Sequence, residues 1–191
     1  MARSKTVADT AVLDATLVVI SRQGPAGLTF ALVGKEAGLS PATLVQRFGT
    51  RDALIHAALL LAWDRLDDLT AEEDAIQSED VDGAILLLEK LSPTDGDATI
   101  YVDGPLLLRG DVGDPVLRAR GAAWLDGLAL ALGRRLTSDP RARRPLGRML
   151  ACQWQGAQVW WAFNRRGEPR ETVSKDLRAW CDVVLKHDDA A

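Results

Sequence analysis

Residues Thr29 to Leu54 read TFALVGKEAGLSPATLVQRFGTRDAL and spell two short helices about a glycine turn, followed by the start of a third. Thr29 is an N-cap for the first helix, and Gly38 supplies the backbone angle at which the chain turns. Ser40 followed by Pro41 is a second N-cap, with proline in the first helical position. The spacing predicts a second helix from about Pro41 to Arg47. Ala42, Thr43, Val45, Gln46 and Arg47 point outward on it, while Leu39, Leu44 and Phe48 point back at Val33 and Ala37.

That division is the sequence form of a helix-turn-helix reader of double-stranded DNA. The hydroxyls of Thr29 and Thr43, with Gln46, Arg47 and Arg51, are a compact set of donors for phosphate oxygens and base edges, arginine suiting guanine and glutamine suiting adenine. Arg51 sits at a helix start, where free backbone N–H groups also attract phosphate. Arg3 and Lys5 form a short basic arm ahead of the first helix. With Ser40, Pro41, Ala42 and Val45 they complete the candidate DNA-reading set.

The pattern around this stretch resembles the amino-terminal domain of the TetR (tetracycline-repressor-type) family of bacterial transcription regulators. The resemblance is carried by Val12-Leu13-Asp14-Ala15 and Gly24-Pro25-Ala26-Gly27-Leu28-Thr29, by Ala37-Gly38-Leu39-Ser40-Pro41-Ala42-Thr43-Leu44, and by Phe48-Gly49-Thr50-Arg51-Asp52-Ala53-Leu54. It covers about the first 60 residues by motif and the rest by size and helical character. Family members commonly carry an aromatic where this chain has Val45, and often a His or Tyr near Arg47. The resemblance implies an all-α protein with a reader domain over residues 1–54 and a helical ligand-binding and dimerisation domain over 55–191. It also implies a homodimeric repressor released from operator DNA by a small inducer, for which the aromatic residues named below suit an apolar or aromatic molecule.

Composition sets the bounds. A chain of 191 residues with 47% hydrophobic content holds a proper core and is not disordered. Its net charge of −4 argues at first against a nucleic-acid binder. Residues 1–60, however, hold Arg3, Lys5, Arg22, Lys35, Arg47 and Arg51 against Asp9, Asp14, Glu36 and Asp52, a net +2 that leaves −6 for the remainder. The reading surface stays attractive to phosphate while the rest keeps the protein soluble. Cys152 and Cys181 lie in apolar helical stretches at no metal or redox spacing, and both read as small buried hydrophobes in a reducing cytoplasm. No apolar run suits a membrane span, and the amino terminus has no signal-peptide core.

Helical periodicity runs through the chain and predicts an all-α fold. A first helix from about Thr6 to Gln23 sets Ala8, Val12, Ala15 and Val19 on one face. A helix from about Asp52 to Thr70 leaves the reader and enters the next domain. Glu72, Glu73, Asp74, Glu79, Asp80 and Asp82, with no base among them, read as a solvated hinge. Further helices are expected at about Val81 to Leu91, at Ala98 to Arg109 with a break at Asp103-Gly104-Pro105, and at Pro115 to Leu136. Pro140 to Pro145, with Arg141, Arg143 and Arg144, reads as a basic loop.

The helix from about Leu146 to Asn164 is apolar nearly all round, so it must be covered on two sides. Met149, Cys152, Gly156, Val159 and Phe163 mark one face; in the last helix Val173, Leu177, Trp180 and Val184 repeat at helical spacing. Small residues at Cys152 and Gly156 suit a close helix crossing. Together these nine residues are the expected homodimer interface, a four-helix contact between two copies. Six tryptophans accompany one tyrosine and three phenylalanines. Trp63, Tyr101, Trp124 and Trp154 are candidates to line an inducer cavity, with Asp103 or Asp126 as its polar handle. His56 and His187 stand apart from any nucleophile or metal spacing, and no phosphate loop or dinucleotide fingerprint occurs, so neither an enzyme, a cofactor nor a metal is expected. A helical adaptor binding only protein would explain the apolar carboxy-terminal helices, yet it leaves the Thr29–Leu54 pattern without a cause.

Overall fold

A computed structural model describes residues 7–92 and 113–188, and among these it contains eight α-helices and no strand. They are α1 (Asp9–Gly27), α2 (Phe30–Ala37), α3 (Pro41–Phe48), α4 (Arg51–Ile76), α5 (Val81–Leu91), α6 (Pro115–Leu136), α7 (Pro140–Asn164) and α8 (Pro169–Asp188). None of the described helices is long and apolar enough to cross a membrane. The expected break at Asp103-Gly104-Pro105 lies outside the described residues.

Contacts divide the described chain into two compact units, residues 7–65 with 113–118, and residues 66–92 with 119–188. The division falls within α4, between Arg65 and Leu66, further along than the boundary expected at residue 54. In the first unit α1, α2, α3 and the start of α4 close over Val12, Ala15, Val19, Ile20, Leu28, Val33, Leu44 and Leu54. Ala8 is exposed, outside that core. Gly24, at φ 69° and ψ 164°, kinks α1 ahead of Pro25 and so sets off its last turn.

The second unit packs α5, α6, α7 and α8 around Ile85, Leu87, Leu88, Leu128, Leu132, Leu150, Trp154 and Leu177. The two longest of these helices cross closely where glycines remove side chains. A Cβ on Gly133 would stand 1.9 Å from the Arg143 carbonyl oxygen, and one on Gly147 would stand 1.8 Å from that of Ala129. Position 129 opposite 147 and 133 opposite 143 is the register of an antiparallel α6–α7 hairpin.

Two expectations are corrected in this unit. The acidic stretch is not a hinge: α4 continues through Glu72, Glu73 and Asp74 to Ile76, and Asp80 caps α5 by accepting the Gly83 N–H at 2.8 Å. Its bases come from far along the chain. The wholly buried Arg135 side chain donates to Asp74 Oδ1 at 2.5 Å, and to the carbonyls of Asp74, Gln77, Ser78 and Ala131 at 2.8–3.1 Å. All five guanidinium N–H groups are thereby satisfied, and the carbonyls at the end of α4 gain the donors they otherwise lack. Burial would raise the Asp74 carboxyl, but hydrogen bonds from Arg135 and then Arg134 outweigh it and hold the group below its ordinary range. The second correction concerns Pro140 to Pro145, which is helical and opens α7. Asp139 accepts the Arg141 N–H at 2.9 Å and Pro140 takes the first helical position, while Pro145, beyond the first turn, has no N–H to give the Arg141 carbonyl.

Candidate nucleic-acid interface

The two reader helices are set by short local contacts. Thr29 Oγ1 accepts the Leu32 N–H at 3.2 Å, and Ser40 Oγ accepts the Thr43 N–H at 3.1 Å while lying 2.8 Å from Thr43 Oγ1. Between them Gly38 sits at φ 68°, ψ 32°, the left-handed conformation that glycine adopts without strain. The turn is tight enough to need a second glycine: Leu39 N–H donates to the Gly34 carbonyl at 2.9 Å, and a Cβ on Gly34 would lie 2.5 Å from the Leu39 oxygen. Gly34 belongs with Gly38 as a turn-forming residue, a role the sequence reading gave to Gly38 alone. Thr50 caps α4 by accepting the Ala53 N–H at 3.1 Å.

Leu44 is fully buried, with Leu39 and Phe48 packed against the same core. The opposite side of α3 faces solvent with Pro41, Ala42, Val45 and Gln46, and Val45 is 47% exposed. Thr43 is half-buried, its hydroxyl beside Ser40. Gln46 makes no hydrogen bond among the described residues, so its amide is free to read a base edge.

The two arginines are held more firmly than the sequence suggests. Arg47 does not simply point outward: Nε donates to Asp9 Oδ1 at 2.8 Å, Nη2 to the same oxygen, and Nη1 to the Val7 carbonyl at 2.9 Å. Its side chain is 23% exposed and clamps the start of α1 to α3. Arg51 donates from Nε to the Leu28 carbonyl at 3.0 Å and from Nη2 to the Pro25 carbonyl at 2.5 Å, bracing the link between α1 and α2. Carbonyl oxygens at a helix end are strong local acceptors, and no sequence pattern places them beside an arginine 23 residues away.

Charge follows the same trend. Among described residues up to 60, Arg22, Lys35, Arg47 and Arg51 meet Asp9, Asp14, Glu36 and Asp52 in equal number, so the surplus of this region rests on Arg3 and Lys5. Those two residues lie outside the described residues.

The candidates of the second unit divide as well. Trp154 is buried and donates from Nε1 to Ser92 Oγ at 3.0 Å, and the half-buried Trp124 donates to Thr70 Oγ1 at 2.9 Å. Asp126 is on the surface and pairs with Arg144 at 3.1 Å, which corrects its expected place as the handle of a cavity. Trp63 falls in the first unit, and Tyr101 and Asp103 lie outside the described residues. Of the expected dimer face, Val173 and Leu177 are buried in the core of their own unit, where α8 packs on α5 and α7. Trp180 and Val184 are half-buried. On α7, Met149, Cys152 and Phe163 are exposed and Gly156 and Val159 half-exposed, while Leu150, Trp154, Ala157 and Trp161 on the opposite side are buried. Trp160, 66% exposed, joins that outer stripe; its place four residues after Gly156 was the signal for it. Gly156 is not a crossing point within the chain, that role falling to Gly133 and Gly147. Cys152 is exposed and not a buried hydrophobe, whereas burial pushes the Cys181 thiol up to about 11.

A family model described as bacterial regulatory proteins, tetR family, matches residues 12–58. A comparison with curated proteins found no match. Among solved structures, a TetR transcription regulator from Haloarcula marismortui is 19% identical, with a TM-score of 0.71 over 92% of this chain and 96% of its own. The FadR regulator of Bacillus subtilis, solved with stearoyl-CoA, is 17% identical with a TM-score of 0.68 over 88% and 95%. A Saccharomonospora viridis protein solved in complex with choline is 15% identical with a TM-score of 0.73 over 91% and 95%. At these identities the likeness is one of fold.

Proposed function

We propose, from the premise that this chain belongs to the tetR family of bacterial regulatory proteins, that it is a homodimeric one-component repressor of transcription, at work in the cytoplasm. Its α3 enters the major groove of operator DNA. The observation that carries this reading is the outer face of α3, where Gln46 and Val45 stand free while Leu44 anchors the helix from behind. Gln46 reads a base, Thr43 and the helix starts at Ser40–Pro41 meet phosphate, and Arg3 and Lys5 supply the long-range attraction. Arg47 first holds α3 to the start of α1 and Arg51 braces the link between α1 and α2, and both contact DNA from those clamped positions.

The second unit takes a small apolar or aromatic ligand whose binding releases the operator. Solved proteins of the same fold hold stearoyl-CoA and choline, which supports a ligand site in such a unit. Because α4 runs unbroken from Arg51 to Ile76 and contributes to both units, it is the element through which ligand occupancy reaches the reader. Only a ligand with different affinity for the two arrangements can do so. The test is selection of binding sites from a random DNA pool, then titration of the selected site in rising salt. A pseudo-palindrome with half-sites about 34–36 Å apart, or a multiple of that, and a steep loss of affinity with salt are expected. No enrichment would favour an adaptor that binds only protein.

A further inference from the structure

We propose that α7 pairs antiparallel with the α7 of a second copy about a two-fold axis at Gly156, so that Trp160 and Phe163 of one protomer fill the groove of its partner at Pro145, Met149 and Cys152. The inference rests on the dimer reading above and adds its register.

Three observations carry it. Pro145, Met149, Cys152, Gly156, Trp160 and Phe163 form one stripe along α7, since residues spaced by three, four and seven share a helix face. The stripe is symmetric about its glycine: Met149 and Phe163 lie seven residues to either side, Cys152 and Trp160 four. An isologous contact needs that arrangement, because whatever residue i touches must touch i in return. The two ends of the stripe also differ in shape. At the amino-terminal end Pro145, Arg148, Met149, Cys152 and Gln153, with Trp180 from α8, line a groove of about 560 Å³. At the other end Trp160 and Phe163 project 66% and 73% exposed, their ring centroids 5.7 Å apart. Antiparallel pairing sets projection into groove twice over. Parallel pairing would set rings against rings and leave both grooves open. At the centre, a Cβ on Gly156 would meet no atom within 4 Å, so the backbone there is open to a second helix.

The register places Cys152 against the partner's Trp160. In the Trp160→Cys variant, mild oxidation with copper–phenanthroline should therefore yield a covalent dimer on a non-reducing gel, lost when Cys152→Ser is added. The two cysteines of one chain cannot bond each other, being about 12 Å apart along the helix. The unaltered chain should not cross-link through Cys152, because its two copies sit about 6 Å to either side of the axis. Phe163→Asp should raise the dimer dissociation constant about tenfold or more with unchanged circular dichroism, since this ring contributes little to the fold of one chain. A dimer by light scattering that gives no Trp160→Cys cross-link, or that cross-links readily through Cys152 alone, overturns the register and leaves the dimer reading standing. A monomer at micromolar concentration overturns both.

Discussion

Replacing Arg47 with alanine separates two roles that meet in one side chain, positioning α3 and contacting DNA. Its guanidinium bonds Asp9 through Nε and Nη2, and the Val7 carbonyl through Nη1 at 2.9 Å. Asp9 is 68% exposed, so the ion pair is worth on the order of 0.5–1 kcal/mol. The half-buried bond to Val7 adds about 1 kcal/mol. Arg47→Ala should thus cost the first unit about 1–2 kcal/mol, a fall of roughly 5–15 °C in melting temperature for a unit of this size. Asp9→Asn removes the ion pair but keeps the arginine. Calorimetry and fluorescence anisotropy on a selected operator should then show Asp9→Asn with about half that melting loss and near-normal affinity, and Arg47→Ala weakened in both. Unchanged melting in Arg47→Ala would refute the clamp. Equal loss of affinity in the two variants would mean that Arg47 serves DNA only by holding α3.

Gly34→Ala should destabilise the reader by about 1–3 kcal/mol and weaken operator binding, because its Cβ would stand 2.5 Å from the Leu39 carbonyl and push α3 away; thermal melting and anisotropy report both. Asp74→Asn leaves the buried Arg135 charge without its partner and should cost about 2–4 kcal/mol at pH 7, somewhat less than for a fully enclosed pair since Asp74 retains some exposure. Because the Asp74 carboxyl is held below its ordinary value, this stabilisation is fully present above about pH 5 and fades as pH falls below 4, so denaturant titrations of wild type and variant should converge in acid and not in base. Removing the charges of Arg3 and Lys5 takes four cations from the dimer and should lower the slope of log affinity against log salt by roughly 3 to 4, since the described part of that region is otherwise balanced; an unchanged slope would mean that the arm does not touch phosphate.

What the sequence could tell depended on how far apart the interacting groups lie. The caps at Thr29 and Ser40 and the left-handed Gly38 are contacts within three residues, and each was legible from residue type. The bounds of α5 and α6, expected at about Val81 to Leu91 and Pro115 to Leu136, agree with the structure, since helical periodicity is also a local pattern. Contacts between distant segments were not. Arg135 reaches Asp74 from 61 residues away, which turned a charge run into a helix end. Gly133 and Gly147 are ordinary helical glycines until α6 meets α7, and Val173 and Leu177 show the periodicity of an interface whether their partner is the same chain or another. Arg47 and Arg51 have the chemistry of DNA contacts in sequence, and only the fold brings carbonyls and Asp9 within their reach.

The central claim is that the free face of α3 reads DNA, and Gln46 tests it most directly, being exposed and without a hydrogen-bond partner among the described residues. Anisotropy titration of wild type and Gln46→Ala against a selected operator and a scrambled duplex, at one salt concentration, isolates that face from the fold. Gln46→Ala should lose about 1–3 kcal/mol on the operator and nothing on the scrambled duplex. Equal affinity of the two proteins for the operator would contradict it.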